Sequence, residues 1–329
     1  MLKRANELAC LGLGLTGSNP IVGAVVVDSA GKIIGEGFHK SGPHAEVVAL
    51  EQAGQSANGA TLFVTLEPCN HHGKTGPCTE AIIKSGISKV VYAVSDPNAL
   101  ASGGAAALSA AGIEVVLTSG VPEVSYSNRA WLHKIKTGRP YFIWKIATTL
   151  DGRTAASDGS SKWITGPESR AQVSKLRSES SGILIGTGTA LADNPNLIPR
   201  ELEIRGAENP VRIVMGLREI PADFNLNNGD AETVFVRSQD FSELLTLCQE
   251  RDFNQVLVES GSELGTALLS AGLIDELIIF QAASLLGSGQ SFLGDLGIKT
   301  IEQKLDFVIR DVAQFGNDLR ITLTKEMGS

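Results

Sequence analysis

A surplus of positive charge is missing from this chain. Its 28 Lys and Arg are outnumbered by 36 Asp and Glu, giving a formal net charge of −8 and an isoelectric point near 5.3. Neutralising nucleic-acid phosphates needs a basic surface, so a general nucleic-acid binder is disfavoured and only a local basic pocket remains open. Long apolar runs are missing too. No stretch reaches the roughly 18 apolar residues of a membrane span, and the amphipathic start (Leu2, Ala5, Leu8, Ala9, with Glu7 among them) lacks a signal-peptide core. The expected setting is cytoplasmic, with no membrane partner. Cysteines number four, Cys10, Cys69, Cys78 and Cys248, and in a reducing compartment they do not form a disulfide framework. Cys69 and Cys78, nine positions apart and flanked by prolines and histidines, need another explanation. Aromatics make up only 5% of the residues against 36 glycines, which points to tight turns between short elements.

A length of 329 residues with 43% hydrophobic content predicts a soluble protein of two domains. A helix is expected from Leu2 to about Leu13. β-rich runs at Ile21–Asp28 and Lys32–Phe38 flank the hairpin signal Ser29-Ala30-Gly31. Helices over 45–53, from Pro77 to Gly86 and over 104–111 alternate with strands over 61–65, 89–94 and 113–118, which predicts a largely parallel sheet covered by helices. Val121–Arg139 reads as a polar connecting helix and sets the boundary, giving domains 1–139 and 140–329. A second alternating series follows, with strands over 141–147, 182–185, 211–214, 233–236 and 255–258, a helix over 263–271, and strands over 276–281, 307–312 and 319–324. The last two strands have no helix between them, so an antiparallel edge is expected. Thr165 and Glu168 have capping-box spacing around Pro167, so a helix should begin there.

Chemistry concentrates in the first half. Pro43-His44-Ala45-Glu46 lies where a loop becomes a helix, Glu67-Pro68-Cys69 ends a strand, and Gly76-Pro77-Cys78 opens a helix. Two helical residues turn about 200°, which would point His44 and Glu46 apart, but a residue at the helix N-terminus need not be helical. Thiolates are favoured at such junctions by backbone amides and the helix dipole. One imidazole and two thiolates leave a tetrahedral zinc with an open position, which is a catalytic arrangement. Zinc deaminases carry His-x-Glu followed by Pro-Cys-x-x-Cys, with the Glu as proton shuttle and not a ligand. Here eight residues separate the cysteines. A His-x-Glu alone is commonplace and a lone buried cysteine is usually a small hydrophobe; the ordered combination favours a catalytic Zn2+ held by His44, Cys69 and Cys78. Glu46 then moves a proton from an activated water to the leaving ammonia. His71 or His72 as a fourth ligand would close the site, and a nucleic-acid deaminase is a further alternative that the acidic charge disfavours.

The motif Glu-Pro-Cys-x-His-His-Gly-Lys-Thr-x-Pro-Cys (67–78), with Asn19-Pro20-x-Val22-Gly23 and Asp96-Pro97-Asn98, resembles the bifunctional riboflavin-biosynthesis deaminase/reductase family over almost the whole chain. The resemblance implies an α/β protein with an N-terminal cytidine-deaminase-like three-layer domain and a C-terminal dihydrofolate-reductase-like domain. It implies deamination of 2,5-diamino-6-(5-phosphoribosylamino)pyrimidin-4-one, then NADPH-dependent reduction of the ribosyl group of the resulting uracil. On it, Asn19, His71, Lys74, Asp96 and Asn98 grip the pyrimidine and its phosphoribosyl tail, although both Pro-containing motifs are good turn sequences in any protein. It also leads us to expect a small-molecule phosphoribosylaminopyrimidine as partner and a homo-oligomer, dimer or tetramer.

The second half holds two turns with the composition of phosphate sites, Gly186-Thr187-Gly188-Thr189 and Glu259 to Ala267, each following a strand. Neither is a full Gly-x-Gly-x-x-Gly, so nucleotide binding and plain turns both remain open. The family resemblance extends to Lys145 to Arg153, Ser161 to Thr165, Gly188 to Leu197 and Val258 to Gly261. It implies NADPH contacts at Thr148, Trp163, Thr189, Asp193, Gly261, Ser262, Glu263, Leu264, Gly265, Thr266 and Ala267. It places Lys145, Ser161, Arg177, Leu197, Arg200 and Glu259 on the sugar-phosphate substrate, with Arg177 and Arg200 as phosphate clamps; the alternative for each arginine is a solvated surface residue. Ile198-Pro199 before Arg200, and Gly216-Leu217 after a strand, depart from the family pattern. A non-catalytic ligand-binding or dimerising role for this half is the competing reading.

Overall fold

In the computed structural model, which describes residues 1–72, 76–98, 102–118, 120–199 and 208–325, the chain divides into the units Met1–Arg139 and Pro140–Ser329. The first contains α1 (Leu2–Cys10), β1 (Gly23–Val27), β2 (Ile33–Phe38), α2 (Ala45–Ala53), β3 (Thr61–Leu66), α3 (Cys78–Ser85), β4 (Lys89–Val94), α4 (Gly104–Ala110), β5 (Glu114–Leu117), α5 (Pro122–Ser127) and α6 (Arg129–Thr137). Successive side chains of a strand point to opposite faces, and β1 is buried throughout. Ala24 and Val26 join a cluster with Ala45 and Ala49 of α2, while Val25 and Val27 pack with Ala5 and Leu8 of α1. One strand thus serves two cores, producing the α/β/α layering expected of the deaminase class.

The sheet order is β2-β1-β3-β4-β5. It is mixed rather than largely parallel: β1 is antiparallel to both neighbours, and only β3, β4 and β5 run together. The cause is the hairpin. Asp28 Oδ1 accepts the N–H groups of Ala30 and Lys32, the chain reverses, and the α2 crossover returns β3 in the direction of β2, opposite to β1. Helix α2 lies almost backbone-to-backbone on β2, since a Cβ at Gly37 would come within 2.3 Å of the Ala45 carbonyl oxygen and one at Gly35 within 2.1 Å of that of Ala49. The expected connecting helix is two helices broken at Asn128.

The second unit contains β6 (Tyr141–Thr149), β7 (Arg153–Ala155), α7 (Pro167–Ser178), β8 (Gly182–Gly186), α8 (Thr187–Asp193), β9 (Val211–Met215), β10 (Thr233–Val236), α9 (Phe241–Glu250), β11 (Gln255–Val258), α10 (Ser262–Ser270), β12 (Glu276–Ala282), β13 (Gln290–Ser291), β14 (Val308–Phe315) and β15 (Asp318–Thr324). The eight-stranded sheet has the order β10-β9-β8-β11-β6-β12-β15-β14. It is parallel from β10 to β12 and antiparallel at the β15–β14 edge, as the missing crossover helix foretold. Phe142, Trp144, Leu184, Ile213 and Val258 build one core with Leu244 and Cys248 of α9 and Leu268 of α10. Helix α9, capped by Asp240 Oδ1 accepting the Ser242 N–H, was not anticipated. Among the described residues, no helix is long and apolar enough to cross a membrane.

The expected capping box at Thr165 is absent. Gly166 is the N-cap of α7 and no side chain of the segment caps it. Instead the buried Asp318 carboxylate, from β15, accepts the Gly166 N–H at 2.7 Å and the Ser169 hydroxyl at 2.6 Å. A charged acceptor shielded from water is worth more than an exposed one. Asp318→Ala is therefore expected to lower stability by about 1–3 kcal/mol, and Glu168→Ala to stay within about 0.5 kcal/mol. Urea unfolding of both variants checks this; the reverse ranking would restore the local cap.

Candidate active sites

His44 is the N-cap of α2, with extended φ −71° and ψ 159°. That backbone turns its imidazole-bearing side chain away from the helical path and lets it share a site with Glu46 in the first helical turn. Cys69 follows β3, and Cys78 is the first residue of α3. His44 Nδ1 lies 3.1 Å from Cys78 Sγ and 3.4 Å from Cys69 Sγ. The Cys78 backbone N–H donates to Cys69 Sγ at 3.4 Å, and all three donor atoms lie within 4.8 Å of one another. Zinc bonds of about 2.0 Å to nitrogen and 2.3 Å to sulfur set tetrahedral donors about 3.6 Å apart, so this set fits the ion. Hydrogen bonding from Cys78 pulls the Cys69 thiol down to about 4, helped by His44. Cys78 is pushed up by that neighbour and by burial. One proton is thus held between two thiols, and a divalent cation takes its place naturally. His72 is not drawn in: its Nε2 lies 3.4 Å from Glu80. Among the described residues the metal-competent group contains neither His71 nor His72.

Beside the triad, a cleft of about 180 Å³ is lined by Asn19, His71, Asp96 and Asn98 together with Glu46. Four of the five expected substrate residues therefore share one cavity with His44, Cys69 and Glu46; Lys74 lies outside the described residues. Burial pushes the Glu46 carboxyl up, in the direction that suits a group exchanging protons near neutrality. Burial likewise raises Asp96, whose Oδ1 accepts the Asn98 N–H at 2.8 Å.

Three residues that the sequence did not single out shape this cavity. The buried Glu67 carboxylate accepts the backbone N–H groups of Asp96 at 3.3 Å and Ala105 at 3.0 Å, tying the Asp96–Asn98 segment to the strand that leads to Cys69. The buried Asn128 accepts the Ile21 N–H at 3.0 Å and donates to the Ile21 carbonyl at 2.7 Å. Trp131 forms part of the wall. Glu67 stands within the quoted motif, but no local pattern marks Asn128 or Trp131.

In the second unit, Lys145 stands in the middle of β6 and Glu259 directly follows β11 on the neighbouring strand. Lys145 Nζ lies 3.0 Å from Glu259 Oε2, and Arg177 donates from Nε at 2.5 Å and from Nη2 at 3.0 Å to the same carboxylate. Arg177 is no solvated surface residue; both donors are engaged by Glu259. Burial alone would raise the Glu259 carboxyl, but the Arg177 and Lys145 charges hold it at about 2. Helices α8 and α10 begin side by side after β8 and β11, where the Gly261 N–H donates to Thr189 Oγ1 at 3.2 Å. Next to that turn Ser260 Oγ is buried and, among the described residues, without a partner. Paired helix starts with an orphaned hydroxyl fit a phosphorylated cofactor.

The remaining expected contacts are less uniform. Trp163 is 65% exposed, with the Arg170 guanidinium 4.7 Å from its ring centre, and neighbouring Lys162 donates to the Asp193 carbonyl, bringing the Ser161–Trp163 segment to the end of α8. Ser262 accepts from Gln290, while Glu263 and Ala267 lie on the exposed side of α10. Other positions serve packing: a Cβ at Gly265 would come within 2.1 Å of the Trp144 ring, Leu264 packs against the core, and Thr266 Oγ1 accepts the Gly294 N–H. The Thr148 hydroxyl is spent on the Thr149 and Arg153 carbonyls. Leu197 is buried with φ 60°, and Arg200 lies outside the described residues.

Residues 1–94 match the cytidine and deoxycytidylate deaminase zinc-binding region, and residues 140–321 match the RibD C-terminal domain. The chain is 43% identical over 316 residues to the riboflavin biosynthesis protein RibD of Mycobacterium tuberculosis, covering 94% of this chain and 92% of that protein. It is 37% identical to that of Escherichia coli, covering 98% of each. The chain belongs to the RibD family. Among solved structures, RibD of Acinetobacter baumannii superposes with a TM-score of 0.88 at 38% identity, covering 98% of this chain and 97% of that one. A Thermotoga maritima diaminohydroxyphosphoribosylaminopyrimidine deaminase/5-amino-6-(5-phosphoribosylamino)uracil reductase gives 0.89 at 35% identity with the same coverage. As a RibD-family member, the chain joins a zinc-dependent deaminase to an NADPH-dependent reductase, which removes the non-catalytic alternative for the second half.

The Glu259 cluster carries a pH signature. Its carboxyl sits below the ordinary 4.5, at about 2, so it stabilises the fold above pH 4.5 and this contribution, about 3 kcal/mol, is lost as pH falls through 2. Denaturant titrations from pH 7 to 2 should show Glu259→Gln less stable at neutral pH, where it strands two cations, with a shallower acid-side decline. Parallel wild-type and variant profiles would contradict the buried ion cluster.

Proposed function

We propose that the chain performs two consecutive reactions: hydrolytic deamination of 2,5-diamino-6-(5-phosphoribosylamino)pyrimidin-4-one, then reduction of the ribosyl group of 5-amino-6-(5-phosphoribosylamino)uracil to ribityl. The observation that carries the first is the three-donor group with Glu46 beside it in a cleft lined by Asn19, His71, Asp96 and Asn98. His44, Cys69 and Cys78 would hold zinc, which when bound supplies Lewis-acid activation of water. Glu46 accepts the proton from the attacking water and returns it to the departing amine, so the same carboxyl acts as base and then acid. Asn19, Asp96 and Asn98 offer donors and acceptors to the ring edges, His71 serves the phosphoribosyl portion, and Lys74 is assigned a charge for its phosphate.

For the second reaction, support comes from the Lys145–Glu259–Arg177 cluster at the carboxyl end of β11, next to the turn that starts α10. NADPH, held by Thr189, Asp193 and the turn at Gly261 with Thr148 and Trp163, supplies the hydride when bound. Lys145 and Arg177 orient the sugar-phosphate with Ser161, Leu197 and Arg200, and Glu259 keeps both cations in place. A cytoplasmic setting and a homo-oligomeric state, dimer or tetramer, belong to the same proposal. The four free cysteines, which suit a reducing compartment, support the first. The second is supported by the edge strand β14, where Ile309 and Val312 are exposed and unpaired edges invite pairing.

Glu46→Ala tests the division of labour. The variant should retain zinc, lose deamination by about 10²–10⁴-fold, and still oxidise NADPH when given the deaminated intermediate. A zinc-loaded variant that deaminates normally, or a wild-type chain that leaves NADPH untouched with that intermediate, overturns the assignment.

A further inference from the structure

The match to the generic deaminase zinc region ends at residue 94, but the cleft continues beyond it. Asp96, Asn98 and Trp131 complete the lining from later in the chain. The first two are polar and sit on a segment fastened by Glu67. Trp131 is different: it arrives on α6, a helix that carries no metal ligand, and it brings the largest flat apolar surface among the lining residues.

How it is held is explicit. Asn128 precedes Trp131 by three positions, which places the two on one helical face. Asn128 makes its paired hydrogen bonds to the Ile21 backbone, at 3.0 and 2.7 Å, directly after Asn19-Pro20. A buried side-chain amide satisfied at both ends resists displacement. The clamp therefore locks α6 to the loop that presents Asn19, and Trp131 is 7% exposed at the wall so formed. Pro20, Val22 and Leu66 are the aliphatic contacts of the lining, and its other planar side chains are the smaller, polar imidazoles of His39, His44 and His71.

We propose that Trp131 is a substrate-binding residue of the deaminase site, its indole forming the wall against which the aminopyrimidine lies and Asn128 acting as its positioning residue. This rests on the deaminase function proposed above. Contact between an aromatic side chain and a base is typically worth about 1–3 kcal/mol, and because the ring is planar before and after deamination, the contact serves binding more than the chemical step. Metal binding does not depend on it.

The test uses the full-length zinc-loaded chain. Trp131→Ala should raise KM for the diaminopyrimidine substrate by about 10- to 100-fold, with a smaller change in kcat and unchanged zinc content, and Trp131→Phe should recover most of the loss. A second readout does not depend on the alanine variant folding. In a Trp163→Phe background, the deaminated product should quench tryptophan fluorescence, and adding Trp131→Phe should abolish that quenching. A KM within twofold of wild type in zinc-loaded Trp131→Ala, or quenching that survives Trp131→Phe, overturns the proposal. Absence of any deamination by the wild-type chain would instead overturn the function on which it rests.

Discussion

Three donors can meet at one point only if the backbones carrying them are fixed to within a fraction of an ångström, and no donor in this protein achieves that alone. His44 is held because α2 lies nearly in backbone contact with β2, across Gly35 and Gly37. Cys69 is held by the end of β3, and Cys78 by the first turn of α3, whose N–H reaches the Cys69 sulfur. The same tight packing buries Glu46 beside the donors. Loosening any one of these contacts would cost the site both its metal geometry and its proton shuttle, which is why small residues crowd this part of the unit.

The second unit solves its positioning problem with charge rather than small side chains. Glu259 gathers Lys145 from β6 and Arg177 from α7, and α7 is anchored at its other end by Asp318 from β15. A cation at each end of a buried carboxylate keeps both long side chains ordered before a sugar-phosphate arrives, which lowers the conformational cost of binding it. Arg212 plays a comparable structural part: almost fully buried, it donates to the carbonyls of Asn196, Asn225 and Ala231 and so pins the segment that carries Leu197.

Local patterns were legible where a residue's neighbours in sequence are also its neighbours in space. The metal ligands, the α2 boundaries and most strands follow from spacing, apolar periodicity and glycine stops. What escaped depends on distant partners. The capping acceptor of α7 is Asp318, not Glu168, because tertiary structure delivered a better carboxylate than the helix itself. The segment at 121–139 reads as a connector since its charged faces dominate the pattern, yet Trp131 lines the deaminase cavity and Asn128 fastens its helix to the Ile21 backbone. The antiparallel pairing of β1 with β3 was hidden because strand direction is decided by the hairpin and crossover together. The ion pair of Arg177 with Glu259 was hidden as well, because the two lie 82 positions apart.

The central claim is that one imidazole and two thiolates form the complete protein ligand set, leaving an open position beside Glu46. X-ray absorption at the zinc edge of the purified chain measures this directly. The account predicts one zinc per chain with two sulfur ligands, one imidazole and one further light atom from solvent. Two imidazoles with two sulfurs, meaning that His71 or His72 closes the site, would contradict it.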